Sequence, residues 1–134
     1  MNAKDHEEAN YSEFFNPLLL FDVSKCVPAF DVDKMDPDFW SKVLRLQYGL
    51  SSTLWLQINS AYRTKEHEWS RGRSGNSQHC LGKAVDISCK ESHARWLLIS
   101  KAMELGFHRI LVYPTFIHLD DKSGCMRQVI WMAK

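Results

Sequence analysis

The amino-acid sequence predicts an α+β fold, in which helices flank a small, mainly antiparallel sheet. Helical segments come before and between the strands, and most of the later strands are joined by short turns. This order of elements is typical of α+β proteins. A length of 134 residues without repeats or long linkers predicts one domain over residues 1–134.

Helix signals occur at three places in the chain. The segment YSEFFNPLLLF, residues 11–21, is expected to form a short helix or turn. Asp36 is a typical N-cap, and Pro37 suits the first position of the helix that follows. Residues 91–105 have the spacing of an amphipathic helix that ends at Gly106. Its apolar face is formed by Ala94, Leu97, Leu98, Ala102 and Leu105.

Five segments have the alternation or composition of strands. They are TLWLQINSAY (53–62), GKAVDIS (82–88), RILVY (109–113), FIHLD (116–120) and RQVIWMA (127–133). Residues 63–78 between the first two are polar and contain two glycines, and a loop is predicted there. Its basic residues alternate with Glu66 and Glu68, which favours a solvated surface that could steer an anionic polymer. The basic residues are Arg63, Lys65, Arg71 and Arg73.

The tryptophans are expected to divide between the core and the surface. Trp40, Trp55 and Trp96 lie in helix or strand patterns and are predicted to fill the core. Trp69 lies in the polar segment and is expected to be exposed, where it would cover the loop or stack on a substrate.

The charge balance and the termini limit the classes of function. Seventeen basic and sixteen acidic residues give a formal net charge of +1. This balance argues against a dedicated nucleic-acid binder. The N-terminal segment is polar and lacks a secretory signal, and its apolar run at 18–21 is too short to span a bilayer. We therefore expect cytoplasmic synthesis without membrane insertion, and reduced thiols at Cys26, Cys80, Cys89 and Cys125, which have no CxxC spacing.

Three residues suggest a metal site on one face of the sheet. Side chains alternate along a strand, so Asp86 and His118 can meet if their strands are neighbours. His79, on the loop before the first of these strands, can approach them, and Gly82 allows the tight turn between. Two imidazoles and one carboxylate suit a divalent cation, and three protein ligands are typical of catalytic zinc. The spacing alone is also compatible with an Asp that caps a turn and a His in a polar cluster.

The motif SQHCLGKAVDI resembles the S-x-H-x-x-G-x-A-x-D signature of the zinc D-alanyl-D-alanine peptidases. These enzymes share a metallopeptidase superfamily with lysostaphin-type enzymes and the hedgehog domain. The matching positions are Ser77, His79, Gly82, Ala84 and Asp86. INSAYRT resembles the S-G-Y-R-S segment of the family, with Ala61 in place of glycine. TFIHLD and the early YSEF resemble segments of the murein endopeptidase and phage-type branch, so that the resemblance spans roughly residues 11–120.

The resemblance implies a zinc-dependent hydrolase that acts on peptidoglycan stem peptides at the cell wall, for example as a phage lysin or a virion component. His79, Asp86 and His118 would bind Zn²⁺. Arg63 would be catalytic and substrate-binding, holding a carboxylate or polarising the scissile carbonyl. Ser77 would support the ligand loop or contact the substrate. The bond could be that of a D-Ala-D-Ala carboxypeptidase, an L-Ala-D-Glu endopeptidase or a cross-link endopeptidase.

One catalytic position departs from the family pattern. Many relatives have a carboxylate general base three residues before the last His, where this chain has Thr115. Asp120, on the same strand face as His118, is predicted to be the catalytic base or an acceptor that orients His118. His108 is the second choice as a base. The departure keeps a second function open, that of a non-catalytic zinc-containing module that binds the cell wall or a protein.

Two further arrangements of the cysteines are disfavoured by the sequence. A structural zinc site from His79, Cys80, Cys89 and His93 fits no common ligand spacing. A thiol enzyme built on Cys80 has no supporting motif.

Overall fold

The computed structural model describes residues 26–122 and 129–132, and it contains a five-stranded sheet. The elements are α1 (Pro37–Leu50), β1 (Gln57–Ser60), α2 (Lys65–Ser70), β2 (Ala84–Ser88), α3 (Ser92–Leu105), β3 (Arg109–Val112), β4 (Phe116–Asp120) and β5 (Val129–Met132). Short 3-10 turns occur at Val32–Lys34 and Gln78–Leu81. The helix or turn predicted for residues 11–21 lies outside the described residues.

The sheet has the strand order β1-β2-β4-β3-β5. The pairs β1–β2, β2–β4 and β3–β4 are antiparallel, whereas β5 pairs parallel to β3 at the edge. This arrangement confirms the predicted α+β fold with a mainly antiparallel sheet. Strands β2 and β4 are neighbours near the middle of the sheet, which is the condition under which Asp86 and His118 were expected to meet.

The core lies between one sheet face and the helices α1 and α3. On the sheet side, Val85 and Ile87 of β2 and Ile117 and Leu119 of β4 are fully buried. The opposite face of the same two strands carries the polar residues of the predicted metal site. Alternation along the strands therefore separates an apolar face from a chemically active one.

Helix α1 begins where the sequence predicted. The carboxylate of Asp36 accepts a hydrogen bond from the backbone N of Phe39 at 3.0 Å, and Pro37 is the first helical residue. Such a cap stabilises a helix by about 1 kcal/mol. The helix contributes seven buried residues to the interior, namely Phe39, Trp40, Val43, Leu44, Leu46, Gln47 and Leu50.

Helix α3 also agrees with its sequence pattern. Gly106 has a φ of 83° and caps its C-terminus in the left-handed conformation that glycine adopts easily. Leu98 and Ala102 are buried, and the remaining predicted apolar residues pack against the core. Trp96 on the other side of the helix is 65% exposed, so the prediction that it fills the core is wrong.

Strand β1 is shorter than predicted because a buried side chain replaces its first strand partners. The Gln47 amide of α1 donates to the Leu54 carbonyl at 3.0 Å and accepts from the Leu56 backbone N at 2.7 Å. These contacts satisfy the backbone without a neighbouring strand. Trp55 between them points outward with 61% exposure, so its predicted place in the core is also wrong, whereas Trp40 is buried as predicted.

The polar segment after β1 contains a helix that the sequence reasoning missed. Helix α2 spans Lys65–Ser70, and the Thr64 hydroxyl accepts from the backbone N of His67 at 3.0 Å as its N-cap. The prediction of a solvated loop is therefore wrong for these residues. Glu68 in this helix is fully buried. Trp69 is 56% exposed, as predicted, and its indole N donates to the Ser74 carbonyl at 3.2 Å, so it covers the following loop.

Candidate functional site

Asp86 and His118 lie directly opposite each other on paired strands. Their Cα atoms are partners in the β2–β4 ladder, and both side chains point away from the apolar face. His118 Nδ1 is 2.8 Å from Asp86 Oδ1. The register of two central strands thus sets the distance between two of the three predicted metal ligands.

His79 reaches the same place from a 3-10 turn, Gln78–Leu81. The Ser77 hydroxyl caps this turn by accepting from the His79 backbone N at 3.1 Å. Gly82 ends it with a φ of 70°, and a Cβ there would come within 2.5 Å of the Lys34 carbonyl oxygen. Gly82 is therefore required both for its backbone conformation and for its close contact with the chain before α1.

The three side chains form a compact cluster. One ligand atom from each of His79, Asp86 and His118 lies within 4.8 Å of the others, and His79 Nε2 is 3.3 Å from Asp86 Oδ2. Among residues 26–122 and 129–132, this is the one group of three or more His, Cys, Asp or Glu side chains near enough to share an ion. Within the described part of the chain, His79, Cys80, Cys89 and His93 do not come together as a group that could share an ion.

In each imidazole, one ring nitrogen makes a hydrogen bond to the protein, and the other nitrogen is left to bind a cation. His79 Nδ1 donates to the Ala61 carbonyl at 2.6 Å, and His118 Nε2 donates to Asp120 Oδ2 at 2.6 Å. These nitrogens must carry protons, because a carbonyl and a carboxylate only accept. Neutral imidazoles would therefore turn lone pairs toward Asp86 from both sides. A cation between the three groups removes that repulsion, which is the arrangement expected of a metal site.

The pKa shifts distinguish the two histidines and place the negative charge of the cluster on Asp86. Burial lowers the pKa of His79 despite its contact with Asp86, so His79 is a neutral donor. Burial also acts to lower the pKa of His118, but hydrogen bonds to Asp120 and Asp86 outweigh it and raise the pKa. Burial would raise the pKa of Asp86, whereas the two imidazoles lower it far more. Asp86 is therefore ionised and supplies the negative charge of the cluster.

Arg63 lies next to the cluster and is held by a buried carboxylate. Its backbone N donates to the His79 carbonyl at 3.1 Å, and its Nε is 3.5 Å from Glu68 Oε1. Arg73 Nη1 contacts the other oxygen of Glu68 at 2.7 Å. The sequence reasoning missed Glu68. The capping residue Thr64 was a signal for the start of α2, but not for the burial of Glu68.

The cluster and the two arginines open on one cavity of about 480 Å³. Ser77, Arg63 and Arg73 lie among its lining residues on one side. Tyr113 and Phe116 also line it, with their rings stacked at 4.2 Å between centroids. The cavity therefore combines charged groups, a metal-binding cluster and an aromatic wall, as small-ligand sites commonly do.

Comparison with known proteins now identifies the family. The family model described as Peptidase M15 matches residues 28–120, a segment that includes the whole cluster. The chain belongs to the peptidase M15 family. Peptidases of the M15 family are zinc-dependent, and the family supports a peptidase that acts on a peptide. A comparison with curated proteins finds no match.

Asp120, which the sequence predicted as a catalytic residue, is fully buried beside His118. Arg109 donates to both of its oxygens, through Nε at 2.8 Å and Nη2 at 2.6 Å. Burial would raise its pKa, but the hydrogen bonds of His118 and Arg109 lower it to about 2. Asp120 also accepts from the Lys122 backbone N at 3.1 Å. These contacts favour the second role expected for Asp120, that of orienting a metal-binding histidine.

The other residues considered for the catalytic base lie away from the cluster of His79, Asp86 and His118. His108 does not line the cavity, and its backbone N donates to Asp121 at 3.0 Å. Thr115 does not line the cavity either, and its carbonyl accepts from the Cys89 backbone N. Cys26, Cys80 and Cys89 are free thiols, as predicted, and Cys125 lies outside the described residues.

Across the described ranges, no helix is long and apolar enough to cross a membrane.

Proposed function

We propose that this M15 family member is a zinc-dependent peptidase that hydrolyses an amide bond in peptidoglycan stem peptides. The observation that carries the proposal is the convergence of one nitrogen from each of His79 and His118 on the Asp86 carboxylate, at the wall of a cavity. His79 Nε2, Asp86 and His118 Nδ1 are the donors that zinc commonly takes, and they leave one position for water or substrate. The motif around these residues supports a cell-wall peptide as the substrate.

Different residues of the chain would have different roles in this reaction. His79, Asp86 and His118 would hold zinc, which when bound supplies an activated water and polarises a carbonyl group. Arg63 would stabilise negative charge on the reacting carbonyl or hold a substrate carboxylate, since a guanidinium suits either contact. Ser77 keeps His79 in position through its turn and is close enough to the cavity to contact a peptide.

Asp120 would act as a positioning residue in this scheme. Its oxygens accept hydrogen bonds from Arg109, His118 and the Lys122 backbone, and its low pKa makes it a weak proton acceptor. A carboxylate that holds Nε2–H of a ligating histidine fixes the ring and strengthens Nδ1 as a donor. We propose that this is its contribution, in place of the general-base role.

The biological setting is also a proposal. The resemblance of TFIHLD to the murein endopeptidase and phage-type branch supports a protein that is made in the cytoplasm and acts at the cell wall, as a lysin or a virion component. Thr115 in place of the usual carboxylate favours a second candidate function. In that case the chain keeps the zinc site and binds a cell-wall peptide or a protein without cutting it.

The first experiment is the zinc content of the purified protein and of His118→Ala, with His108→Ala as the matched control. We expect about one zinc per chain in the wild type and in His108→Ala, and none in His118→Ala. The same preparations are then incubated with purified peptidoglycan, and released amino groups are measured.

The outcomes separate the two candidate functions. Digestion by the two zinc-containing proteins supports the peptidase. Stoichiometric zinc without digestion supports the binding module instead. A wild-type chain that takes up no zinc contradicts both.

A further inference from the structure

Two guanidinium groups in the cavity share a single buried carboxylate. Glu68 has no exposed surface, whereas the side chains of Arg63 and Arg73 are 14% and 51% exposed. Arg73 makes a close charge-assisted hydrogen bond to Glu68, but Arg63 Nε and Glu68 Oε1 are both buried without a hydrogen-bond partner among the described residues. The single negative charge of Glu68 therefore neutralises only one of the two positive charges of Arg63 and Arg73.

Backbone contacts hold Arg73 in the cavity wall. Its backbone N donates to the Glu68 carbonyl at 2.8 Å, which folds the chain after α2 back onto that helix. The Trp69 indole binds the Ser74 carbonyl, and Gly75 packs so closely on this ring that a Cβ would lie 2.8 Å from the indole N. The position of Arg73 is thus part of the folded structure on the α2 side of the cavity.

The charges around the cavity favour an anion. Its lining includes two arginines, Arg63 and Arg73, and two carboxylates, Glu68 and Asp86. On the α2 side of the cavity, two arginines face one carboxylate, Glu68, which leaves a net charge of +1 there with or without a cation at the cluster. Burial lowers the pKa of Arg63, whereas Asp86 and Glu68 act to raise it and the smaller effect of Arg73 acts to lower it. A further negative group beside the two guanidiniums would relieve their mutual repulsion.

We propose that Arg63 and Arg73 together bind a carboxylate of the peptide in this cavity, and that Glu68 positions both guanidiniums. The carboxylate lies beside the metal cluster, where it sets which bond of the peptide reaches the reacting position. Two sources have this chemistry, a free C-terminal carboxylate and an acidic side chain within the peptide. The proposal rests on the proposed function in taking a peptide as the ligand.

Binding of small peptides to the zinc-free protein tests this proposal by calorimetry. The first pair of probes is diacetyl-L-lysyl-D-alanyl-D-alanine and its C-terminal amide. The second pair is acetyl-L-alanyl-D-glutamic acid α-amide and the corresponding D-glutamine peptide. Within one pair, we expect the wild type to bind the carboxylate member about tenfold more tightly than the neutral one, because a charged hydrogen-bonded contact is lost in the latter. The pair that shows the preference identifies the source of the carboxylate.

Three variants of the same chain segment test whether the preference depends on Arg73. Arg73→Gln is expected to abolish the difference between carboxylate and neutral peptides, and Glu68→Gln to reduce it. Arg71→Gln removes an exposed charge two residues away that does not line the cavity, and it is expected to keep the preference. Thermal unfolding of each variant confirms that it is folded.

Distinct results overturn the inference and the proposed function. Equal binding of both members of each pair by the wild type, no binding of any probe, or an unchanged preference in Arg73→Gln would overturn the inference. Zinc content and peptidoglycan digestion are measured on the same preparations. Digestion without a carboxylate preference overturns the inference alone, and a preference without zinc uptake or digestion overturns the proposed activity alone.

Discussion

The two ring nitrogens of His118 contact two different carboxylates. Nε2 donates to Asp120, which is itself held by two hydrogen bonds from Arg109, and Nδ1 faces Asp86. The chain Arg109–Asp120–His118 therefore extends from the third strand of the sheet to the cavity. Each link restricts the orientation of the next, so the ring that we propose as a zinc ligand is oriented without an ion.

Replacement of Asp120 by asparagine tests this orientation. We expect zinc affinity to fall about 10- to 100-fold, because the amide holds the Nε2 proton of His118 less strongly and loses its charge pair with Arg109. The measurement is a zinc titration in competition with a chromophoric chelator. Asp121→Asn is the control, since Asp121 pairs with Lys42 and does not contact His118. A general base at Asp120 would give another result, with zinc affinity kept and hydrolysis lost.

Individual residues were predictable where a periodic pattern determined their direction. Strand alternation placed Asp86 and His118 on one face, and the register agrees with this. Glu68 could not be recognised, because its burial depends on Arg63 and Arg73 folding around it, and alternating charges in a sequence are typical of a surface. Trp55 is exposed for a similar reason, since the backbone contacts of Gln47 turn it outward.

At the scale of the element, the turn between His79 and β2 is the most constrained part of the site. Gly82 has a positive φ, and its carbonyl accepts from the Asp36 backbone N at 3.0 Å. The turn that carries a predicted ligand is thus fastened to the N-cap residue of α1. A change at this contact would disturb a helix end and a ligand together.

A pair of glycine substitutions separates the effect of the positive φ at Gly82 from the effect of its close backbone contacts. Gly72→Ala adds a methyl group at a φ of 74° with nothing within 4 Å, and it should cost only about 1 kcal/mol of unfolding free energy. Gly82→Ala has a similar φ but meets three backbone atoms within 2.8 Å, and should cost about 1–3 kcal/mol more. Urea unfolding measures both. Equal losses in the two variants would show that the packing against Lys34 and Met35 is unimportant.

The elements with strong local signals were predicted, and those determined by distant contacts were not. Asp36 and Pro37 begin α1, and Gly106 ends α3, because caps act within one turn of the chain. Helix α2 has a cap at Thr64 but no apolar face, and its six residues are too short for periodicity to reveal it. It is held by the ion pairs of Glu68 with Arg63 and Arg73 and by the hydrogen bond from Trp69 to the Ser74 carbonyl, which a sequence pattern does not show.

On the scale of the whole molecule, the cluster joins three separate parts of the chain. His79 comes from the turn before the sheet, Asp86 from β2 and His118 from β4. An ion bound by all three stabilises the folded state, in which they converge, over the unfolded state, in which they do not. Zinc affinity and folding stability are therefore expected to be linked.

Thermal unfolding with and without zinc measures this linkage. At a free zinc concentration about 100 times its Kd, the folded state gains about 2.7 kcal/mol, and Tm should rise by roughly 10 °C. A chelator should reverse the rise. His118→Ala should show no shift at the same zinc concentration. An equal shift in that variant would mean that zinc binds elsewhere in the chain.

The fold class and the contact of β2 with β4 were predictable from the sequence, but the full strand order was not. Short turns favour neighbours along the chain, and this gave a mainly antiparallel sheet. The parallel pairing of β5 with β3 depends on a connection whose path is not encoded in any local pattern. The cavity likewise depends on how α2 folds beside the sheet.

The pairing of Asp86 with His118 also makes metal uptake a test of correct folding. A slip of one residue between β2 and β4 would turn Asp86 into the apolar layer and expose Val85 in its place. Such a molecule could keep much of its helix content and still be unable to assemble the three ligands. Zinc bound per chain would then count the correctly aligned molecules in a preparation, which circular dichroism cannot do.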